Sequence, residues 1–454
     1  MKQERIKNIA AIINGDLTDL DAENVYVRGV SVDTRTIRPG EIFFALRAER
    51  DGHDFVLDAH QKGAPVAVVE KRLELPIPQI VVKNTLDALG TLASAYRDAI
   101  EPKVVAITGS VGKTTAREMI AKALSLKFDV HSAKKNFNNL IGLPLTLLDM
   151  DENTEIAVVE LGINKVGEMD KLVDIAKPDI AIITSIAPVH TEGLGSLENI
   201  FSEKSKIAKN LAPDNPLFLN IDYEMLNKFA KNTDRKVITY AIEQNADFVA
   251  SDISFSDGRP SFSVDGARFD LNMLGKAPIY AALCAVAVSS HFGLSLSDIS
   301  AELKKFSPQP HRMELIELNG VKIIDDSYNS SPLALSEAFR TMDKISAKHK
   351  WAVIGDMLEL GDFSEKYHRQ AGAEIFEHKF DGAVLFGPMM LSAGEQLNEM
   401  NYNGKFIATE NFDDAMKFIE ENIAPGDLIL IKGSHGVKMI RFVEELRKWL
   451  LKEK

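Results

Sequence analysis

The stretch that most constrains the fold is residues 104–115 (VVAITGSVGKTT), an apolar run that ends in a glycine-bracketed turn. A helical pattern of apolar residues follows, so the stretch predicts a strand, a phosphate-binding loop and a helix. Glycines let backbone N–H groups converge on phosphate oxygens, and the helix N-terminus adds partial positive charge. Lys113 would reach the outer phosphates of a nucleotide, and the Thr114 hydroxyl would hold Mg²⁺.

The loop departs in one place from the general pattern G-x-x-x-x-G-K-[ST], because Ile107 occupies the first glycine position. A glycine turn with a chance Lys-Thr pair would look similar, but this loop follows a predicted strand and opens a predicted helix. We therefore predict that a nucleoside triphosphate binds along the loop. Its candidate contacts are Gly109, Ser110, Val111, Gly112, Lys113, Thr114 and Thr115.

Apolar strands alternate with helical patterns around this loop, at residues 104–108, 156–161, 180–184 and 217–221. Such alternation favours a parallel sheet covered on both faces. A chain of 454 residues is also too long for one ordinary core. We predict an α/β fold of three domains, which are a small N-terminal α/β domain (1–98), a central P-loop parallel-sheet domain (99–306) and a C-terminal Rossmann-like α/β domain (307–454). The third begins at a Pro-rich linker, residues 307–310 (SPQP), which is our candidate hinge.

Composition excludes several classes of partner and location. The formal net charge is −13, and no Lys/Arg-rich patch with interleaved aromatics is present, so we expect no nucleic acid partner. No apolar run is long enough to span a bilayer, and the N-terminus lacks a signal-peptide pattern. The single cysteine, Cys284, excludes an internal disulfide and fits a reducing compartment. We expect a cytoplasmic monomer without membrane insertion.

Three residues of the central region follow its predicted strands and are candidates for chemistry. Glu160 ends a strand and is well placed to hold Mg²⁺, although a strand-end carboxylate can equally face solvent. His190 lies in the loop after the next strand, where a lone histidine is more often a hydrogen-bonded structural residue. Lys204 is on a helix that begins near Leu197. Lysines on a helix usually form a solvated face, and the alternative is a buried, neutral amine that can react.

Other polar clusters stand at turns and strand ends. Asn138 and Asn139 precede a Gly-Leu-Pro segment, where asparagine ordinarily serves the turn but can also read a polar substrate. In the third unit, ligands would lie at the carboxyl ends of parallel strands, unless the residues there form ordinary turns. The candidates in that unit are Arg312, Asp326, Tyr328, Asn329, Lys432 and Ser434.

Together these segments resemble one family. The loop TGSVGKTT, the strand end VELG (159–162) and the segment PVH (188–190) occur in the order seen in the Mur ligases, ATP-dependent enzymes of peptidoglycan precursor synthesis. Lys204 fits the same pattern, and the resemblance covers nearly the whole chain. Within the family, the segments NFNNLIGLPLTLL (136–148), DDSYNSSP (325–332) and GDMLELG (355–361) are similar to members that add D-alanyl-D-alanine.

The resemblance implies an ADP-forming amide ligase that joins D-alanyl-D-alanine to UDP-N-acetylmuramoyl-tripeptide through an acyl phosphate. It implies that Lys113, His190 and Lys204 are catalytic. It also implies two Mg²⁺ ions, one held by Thr114 and Glu160 and one served by His190 and a carbamylated Lys204. Contacts to the UDP-linked substrate would come from Ser31, Asp33, Thr34, Arg35, Asn138 and Asn139.

By the same resemblance, the C-terminal domain would close over both the nucleotide and the dipeptide. Nucleotide contacts would come from Arg312, Asp326, Tyr328 and Asn329. Residues 355–361, Lys432 and Ser434 would line the dipeptide side. The family pattern does not specify the third residue of the tripeptide, which is diaminopimelate or lysine.

The chain departs from the family pattern at several positions. Residues 275–281 (GKAPIYA) replace a His-Asn pair and a later asparagine, and His435 stands where arginine is usual. The phosphate and metal residues are intact, so we interpret these changes as divergence without loss of activity. Two alternatives remain, a related ligase that adds another amino acid or glutamate, and a P-loop nucleotide-binding protein without ligase activity. The second alternative would have no use for His190 and Lys204.

Overall fold

The computed structural model of the chain describes residues 1–133, 137–188 and 191–452, which form three α/β units. Each unit has its own sheet, of five, seven and six strands in chain order. This architecture confirms the predicted α/β class with three domains, while the exact boundaries stay predictions. Among the described residues, no helix is both long enough and apolar enough to cross a bilayer.

The N-terminal unit is built on a five-stranded sheet. The strands of this sheet are β2 (Asp16–Leu17), β4 (Val30–Ser31), β5 (Ile42–Phe44), β6 (Ala67–Val69) and β7 (Gln79–Val81). Strands β1 (Glu4–Arg5) and β3 (Tyr26–Val27) form a separate antiparallel pair. The helices are α1 (Ile6–Ile12), α2 (Val56–Gln61) and α3 (Thr85–Ile100), with 3-10 turns at Leu20–Asn24 and Gly52–Phe55. The sheet order is β2-β7-β6-β5-β4, and only the β2–β7 pair is antiparallel. β5 and β6 are buried along their whole length, as strands covered on both faces should be.

The central unit contains a seven-stranded, fully parallel sheet. Its strands are β8 (Lys103–Thr108), β9 (Val130–Ser132), β10 (Ile156–Glu160), β11 (Ile180–Ile183), β12 (Leu217–Asn220), β13 (Val237–Ala241) and β14 (Phe248–Val249). Its helices are α4 (Lys113–Leu124), α5 (Gly142–Leu148), α6 (Glu168–Ala176), α7 (Thr191–Leu194), α8 (Leu197–Ser205), α9 (Glu224–Asn232), α10 (Ala277–His291) and α11 (Leu296–Leu303), with a 3-10 turn at Lys206–Ala208. The order β14-β13-β12-β11-β8-β10-β9 places β8 between β10 and β11.

An antiparallel meander follows the parallel sheet, formed by β15 (Ser251–Ser256), β16 (Arg259–Val264) and β17 (Ala267–Asp270). Helix α10 packs against α4, β12, β13 and β16, so it is apolar on every side. Cys284 lies on this helix as a buried free thiol, so it is the packing residue that its apolar context indicates.

The C-terminal unit has a six-stranded sheet with the strand order β18-β19-β23-β20-β21-β22. The strands are β18 (Glu314–Leu318), β19 (Val321–Asp326), β20 (Lys350–Gly355), β21 (Gly382–Phe386), β22 (Lys405–Thr409) and β23 (Leu428–Lys432). The helices are α12 (Pro332–Met342), α13 (Ser364–Glu377), α14 (Leu391–Glu399), α15 (Phe412–Asn422) and α16 (Ile440–Lys452), with 3-10 turns at Gly361–Phe363 and His435–Val437. Only the edge strand β18 is antiparallel to its neighbour.

The carboxyl ends of the central and C-terminal sheets meet around a cavity of about 850 Å³. The central sheet contributes the loops after β8, β10, β11 and β12, and the C-terminal sheet contributes those after β19, β20 and β23. Loops at the carboxyl ends of parallel strands are where α/β proteins bind ligands. The fold therefore brings segments more than 200 residues apart to one site.

Candidate active site

The phosphate loop has the predicted geometry, with β8 ending at Thr108 and α4 beginning at Lys113. Gly109 has φ +150°, and a Cβ there would lie 2.1 Å from the Thr184 hydroxyl oxygen. No larger residue fits that space, because the Thr184 hydroxyl is held by the Val111 carbonyl at 2.6 Å. The close approach of β11 to the loop therefore requires glycine.

The loop after β11 also holds the phosphate loop from behind. The N–H of Ser110 donates to the carbonyl of Ser185 (3.0 Å), and the N–H of Val111 donates to the Ser185 hydroxyl (2.8 Å). Helix α4 starts immediately afterwards, and the first N–H groups of a helix have no intrahelical acceptor. Since Lys113, Thr114 and Thr115 begin α4 and line the cavity, their N–H groups form a candidate anion site at its wall.

Two lysines donate to the same carbonyl beneath this loop. The Nζ of Lys113 lies 2.6 Å from the oxygen of Gly109, and the Nζ of Lys204 lies 3.2 Å from it. Desolvation lowers the pKa of Lys113, and so does Arg312, whereas Glu160 opposes the shift. Burial, and next the charge of Lys113, hold the pKa of Lys204 well below its ordinary 10.5. The sequence left two alternatives for Lys204, a solvated helix face or a buried amine. Lys204 is only 1% exposed, so it is a buried amine.

A buried carboxylate lies beside the two lysines. Glu160 is fully buried at the end of β10, and its Oε2 accepts from the Thr114 hydroxyl at 3.3 Å. Its Oε1 accepts no hydrogen bond among the described residues and lies 3.2 Å from Nη1 of Arg117, which is 1% exposed. Arg117 also contacts Glu118 (2.9 Å), whose pKa is raised by burial. Glu160 is thus a buried carboxylate that forms an ion pair with the equally buried Arg117.

We expect Arg117→Met to lower the free energy of unfolding of the unliganded protein by about 3 kcal/mol, because it leaves the Glu160 carboxylate buried without its cation. Urea unfolding of the variant and the wild type measures the difference. Lys122→Met is the matched control, because Lys122 lies on the same helix with its side chain 37% exposed. Equal stabilities for Arg117→Met and Lys122→Met would contradict the importance of this ion pair.

The other central candidates occupy different positions around the cavity. Asn138 and Asn139 line it. The Asn138 carbonyl accepts from the N–H of Gly162 (2.7 Å), and the Asn139 side chain accepts from two N–H groups at the start of α5. Asn139 therefore serves the helix start as well as facing the cavity. His190 lies outside the described residues.

The four N-terminal candidates lie apart from the cavity lining. Ser31 is buried, and its hydroxyl accepts from the N–H of Asp33 (3.2 Å). Asp33 pairs with Arg35 at 2.6 Å, and hydrogen bonding to Arg35 lowers the pKa of Asp33 to about 2. Thr34 is buried, and its carbonyl accepts from Lys62 (3.0 Å). The structure therefore places these four residues together, outside the lining of the cavity.

The C-terminal candidates form the opposite wall of the cavity. The guanidinium of Arg312 stacks 4.0 Å from the centre of the Tyr328 ring. Lys432 is 2% exposed and donates to Asp326 (2.5 Å) and to the Asn329 carbonyl (2.8 Å). Burial raises the pKa of Asp326, against the effect of Lys432. Lys432 and Asp326 therefore neutralise each other within the wall.

Two groups of residues escape prediction from the sequence, one that lines the cavity and one on helix α4 that does not. Tyr280 on α10 donates to Asp222 (2.9 Å), which also accepts from three backbone N–H groups of residues 242–244. Tyr280 and Lys276 lie in the segment that departs from the family pattern, and both line the cavity. The second group is Arg117 with Glu118, where Glu118 also accepts from Gln309 of the linker. Arg117 follows Lys113 at the i, i+4 spacing that places two residues on the same face of a helix. This spacing could have indicated that Arg117 lies near the site.

Comparison with known proteins agrees with this geometry. Three family models match the chain. Residues 26–97 match the model described as "Mur ligase family, catalytic domain", and residues 107–289 match the "Mur ligase middle domain". Residues 311–435 match the "Mur ligase, glutamate ligase domain". The UDP-N-acetylmuramoyl-tripeptide–D-alanyl-D-alanine ligase of Bacillus subtilis (strain 168) is 35% identical, over 98% of this chain and 99% of its own length.

Solved structures give the same result. MurF from Acinetobacter baumannii superposes with a TM-score of 0.92 at 26% identity, over 99% of each chain. MurF ligase from Thermotoga maritima, solved in complex with ADP, superposes with a TM-score of 0.85 at 25% identity, over 94% of this chain and 99% of that one. The phosphate loop, the three α/β units and these similarities agree, and the chain therefore belongs to the Mur ligase family.

Proposed function

We propose that this chain joins D-alanyl-D-alanine to the carboxylate of UDP-N-acetylmuramoyl-tripeptide, with conversion of ATP to ADP and phosphate. The observation that carries the proposal is the glycine loop with Lys113 at the wall of a cavity that the central and C-terminal units share. Relatives that carry this activity in their names align over the full chain and support the choice of substrates. The reaction belongs in the cytoplasm, where ATP is available.

The first step is transfer of the γ-phosphoryl group to the tripeptide carboxylate. The carboxylate oxygen attacks γ-phosphorus, the bond to the bridging oxygen breaks, and ADP leaves. Two anions must approach each other, and at about 4 Å two unit charges repel by roughly 4 kcal/mol at an intermediate dielectric. Lys113 and the first N–H groups of α4 supply positive charge where the transferring phosphoryl group lies.

The residues around Lys113 fit a bound Mg²⁺. The buried Oε1 of Glu160 accepts no hydrogen bond among the described residues, although it lies 3.2 Å from Arg117, and the Thr114 hydroxyl lies beside the same carboxylate. Oxygen ligands of this kind are those that Mg²⁺ prefers, and a bound ion would neutralise charge on the phosphates. Thr114 and Glu160 would hold the first ion, and His190 with Lys204 would serve a second.

Lys204 has the properties of a lysine that is modified. A neutral amine attacks the carbon of CO₂ and loses a proton, which gives a carbamate with two anionic oxygens. An unmodified amine has none to offer a cation. The lowered pKa of Lys204 favours the neutral, reactive form, and this supports carbamylation at this position.

The second step is amide formation. The amine of D-alanyl-D-alanine attacks the acyl phosphate carbon, and the tetrahedral intermediate expels phosphate and loses a proton. Acyl phosphates hydrolyse in water, so the site must exclude water during the reaction. The opposite wall, with Arg312, Tyr328 and Asn329, would close over the nucleotide about the linker at 307–310.

We expect ADP release to require both UDP-N-acetylmuramoyl-tripeptide and D-alanyl-D-alanine. A coupled assay for ADP, with each substrate left out in turn, measures the dependence, and mass spectrometry identifies the pentapeptide product. Glutamate and diaminopimelate, tested singly as acceptors, are the controls for the related ligases. ADP release with a single amino acid in place of the dipeptide would contradict the proposal, and so would release with no acceptor.

A further inference from the structure

A buried histidine lies behind residues 356–360, a wall segment of which residues 358–360 line the cavity. His368 is on α13, is 0% exposed, and does not line the cavity. Its Nε2 lies 2.9 Å from the backbone N–H of Met357, and its Nδ1 lies 2.7 Å from the carbonyl of Ser364. The side chain thus connects the wall segment to the helix that comes after it.

These two partners fix the tautomer of His368. The Ser364 carbonyl can only accept, so Nδ1 must carry the proton and donate it. Nε2 is then unprotonated and accepts from the N–H of Met357. Burial lowers the pKa of His368, which agrees with a neutral ring. The imidazole is therefore a rigid acceptor for one amide of the wall segment.

Other side chains hold the neighbouring residues of the same segment. The N–H of Leu358 donates to the Ser434 hydroxyl (2.9 Å), and the N–H of Ser434 donates to the Asp356 carbonyl (3.0 Å). The Asp356 carboxylate accepts from the N–H of Met390 (2.8 Å). Three consecutive residues, 356–358, are thereby fixed by hydrogen bonds to side chains and backbone groups outside the segment.

Residues 358–360 are the part of the segment that faces the cavity. Leu358, Glu359 and Leu360 line it, and Glu359 has φ +63°, a left-handed conformation that costs free energy outside glycine. The 3-10 turn Gly361–Phe363 then packs against α7 of the central unit. A strained turn keeps its shape only when its neighbours hold it, so the hydrogen bonds at 356–358 determine where residues 358–360 lie.

We propose that His368 is a positioning residue for the amine acceptor, acting through the Met357 amide on residues 358–360. The inference rests on the proposed function and on the family resemblance, which implies that residues 355–361 line the dipeptide side. His368 touches no substrate. Its removal would let the wall segment shift, which would weaken acceptor binding and leave nucleotide binding unchanged.

A pair of substitutions separates this role from ordinary packing. In His368→Gln the side-chain amide reaches about as far as Nε2 and can still accept from Met357. In His368→Asn it reaches only as far as Nδ1 and keeps only the Ser364 contact. Both variants lose the buried ring, so both lower the thermal unfolding midpoint, whereas only His368→Asn releases the wall segment.

The experiment is steady-state kinetics of the full-length enzyme with each substrate varied. We expect His368→Asn to raise KM for D-alanyl-D-alanine by about tenfold or more, with KM for ATP within about twofold of wild type. We expect His368→Gln to stay within about threefold of wild type for every substrate. His368→Leu, which fills the buried space and leaves the Met357 amide without its acceptor, should raise the same KM and keeps the test available if His368→Asn does not fold.

Equal kinetics for the Asn and Gln variants would overturn the proposal, and so would a parallel rise in KM for all substrates. If the wild-type enzyme requires an acceptor other than D-alanyl-D-alanine, the proposed function is wrong, but the proposal on His368 is still open to test. The same comparison of KM values with that acceptor would then decide the role of His368.

Discussion

Replacing Lys113 with alanine is expected to lower kcat/KM for amide formation by about 10⁴-fold, because the transferring phosphoryl group loses its nearest fixed cation. The Nζ of Lys113 is held at the Gly109 carbonyl, beside the N–H groups of α4. The loop sequence, residues 109–115, contains no other lysine or arginine to supply that charge. The coupled ADP assay, run with saturating tripeptide and dipeptide, measures the loss.

The fold should survive the Lys113→Ala substitution. Desolvation lowers the pKa of Lys113, which means that the folded state disfavours the charged form of this side chain. Removing it therefore relieves a cost, and Lys204 still donates to the Gly109 carbonyl. Lys122→Ala is the control on the same helix, and both proteins should have near-normal unfolding midpoints. Near-normal turnover by Lys113→Ala would contradict the assignment of the phosphate loop.

Replacing Lys204 with alanine is expected to lower kcat by about 10³-fold, and short carboxylic acids such as acetate should restore part of the activity. Alanine leaves a hole where a carbamate would stand, and a small carboxylate can enter it with two anionic oxygens. The same additive should not stimulate the wild type. Rates are measured across a series of acid concentrations at constant ionic strength.

Lys209→Ala is the matched control for Lys204→Ala, because Lys209 lies a few residues further on with its side chain 48% exposed. It should retain full activity and show no response to the acid. Depleting dissolved CO₂ should lower the activity of the wild type and leave Lys204→Ala unchanged. Wild-type rates in Lys204→Ala would remove the carbamate from the mechanism.

The sequence predicted the parts of the site that lie close together along the chain. The strand, loop and helix at residues 103–124 follow from a local apolar pattern and glycine spacing, and the structure has all three. The helix of Lys204 was equally local, with its start at Leu197. The family resemblance supplied the roles, since position in a sequence cannot show that Lys204 and Gly109 meet.

The residues that escaped prediction from the sequence depend on contacts that form only when the chain folds. Glu118 accepts from Gln309, 191 residues later, and His368 accepts from Met357 only because α13 folds back on the wall segment. The sequence around Glu118 and His368 shows only the spacing of apolar and polar residues that is typical of a helix. The edge strand β18 (Glu314–Leu318), which follows the linker and pairs antiparallel with β19, was also not predicted.

The order of strands in the central sheet has a consequence for the synthesis of this protein. β8 is the first strand of that sheet to be made, yet it lies between β10 and β11, which emerge later. Lys204 follows Gly109 by 95 residues, and at about 5–20 residues per second it leaves the ribosome roughly 5–20 s afterwards. β8 has no strand partner in this sheet until β10 emerges, which begins 48 residues after β8 ends. The nascent chain therefore carries the apolar strand β8 exposed until then, next to a phosphate loop that cannot yet be assembled.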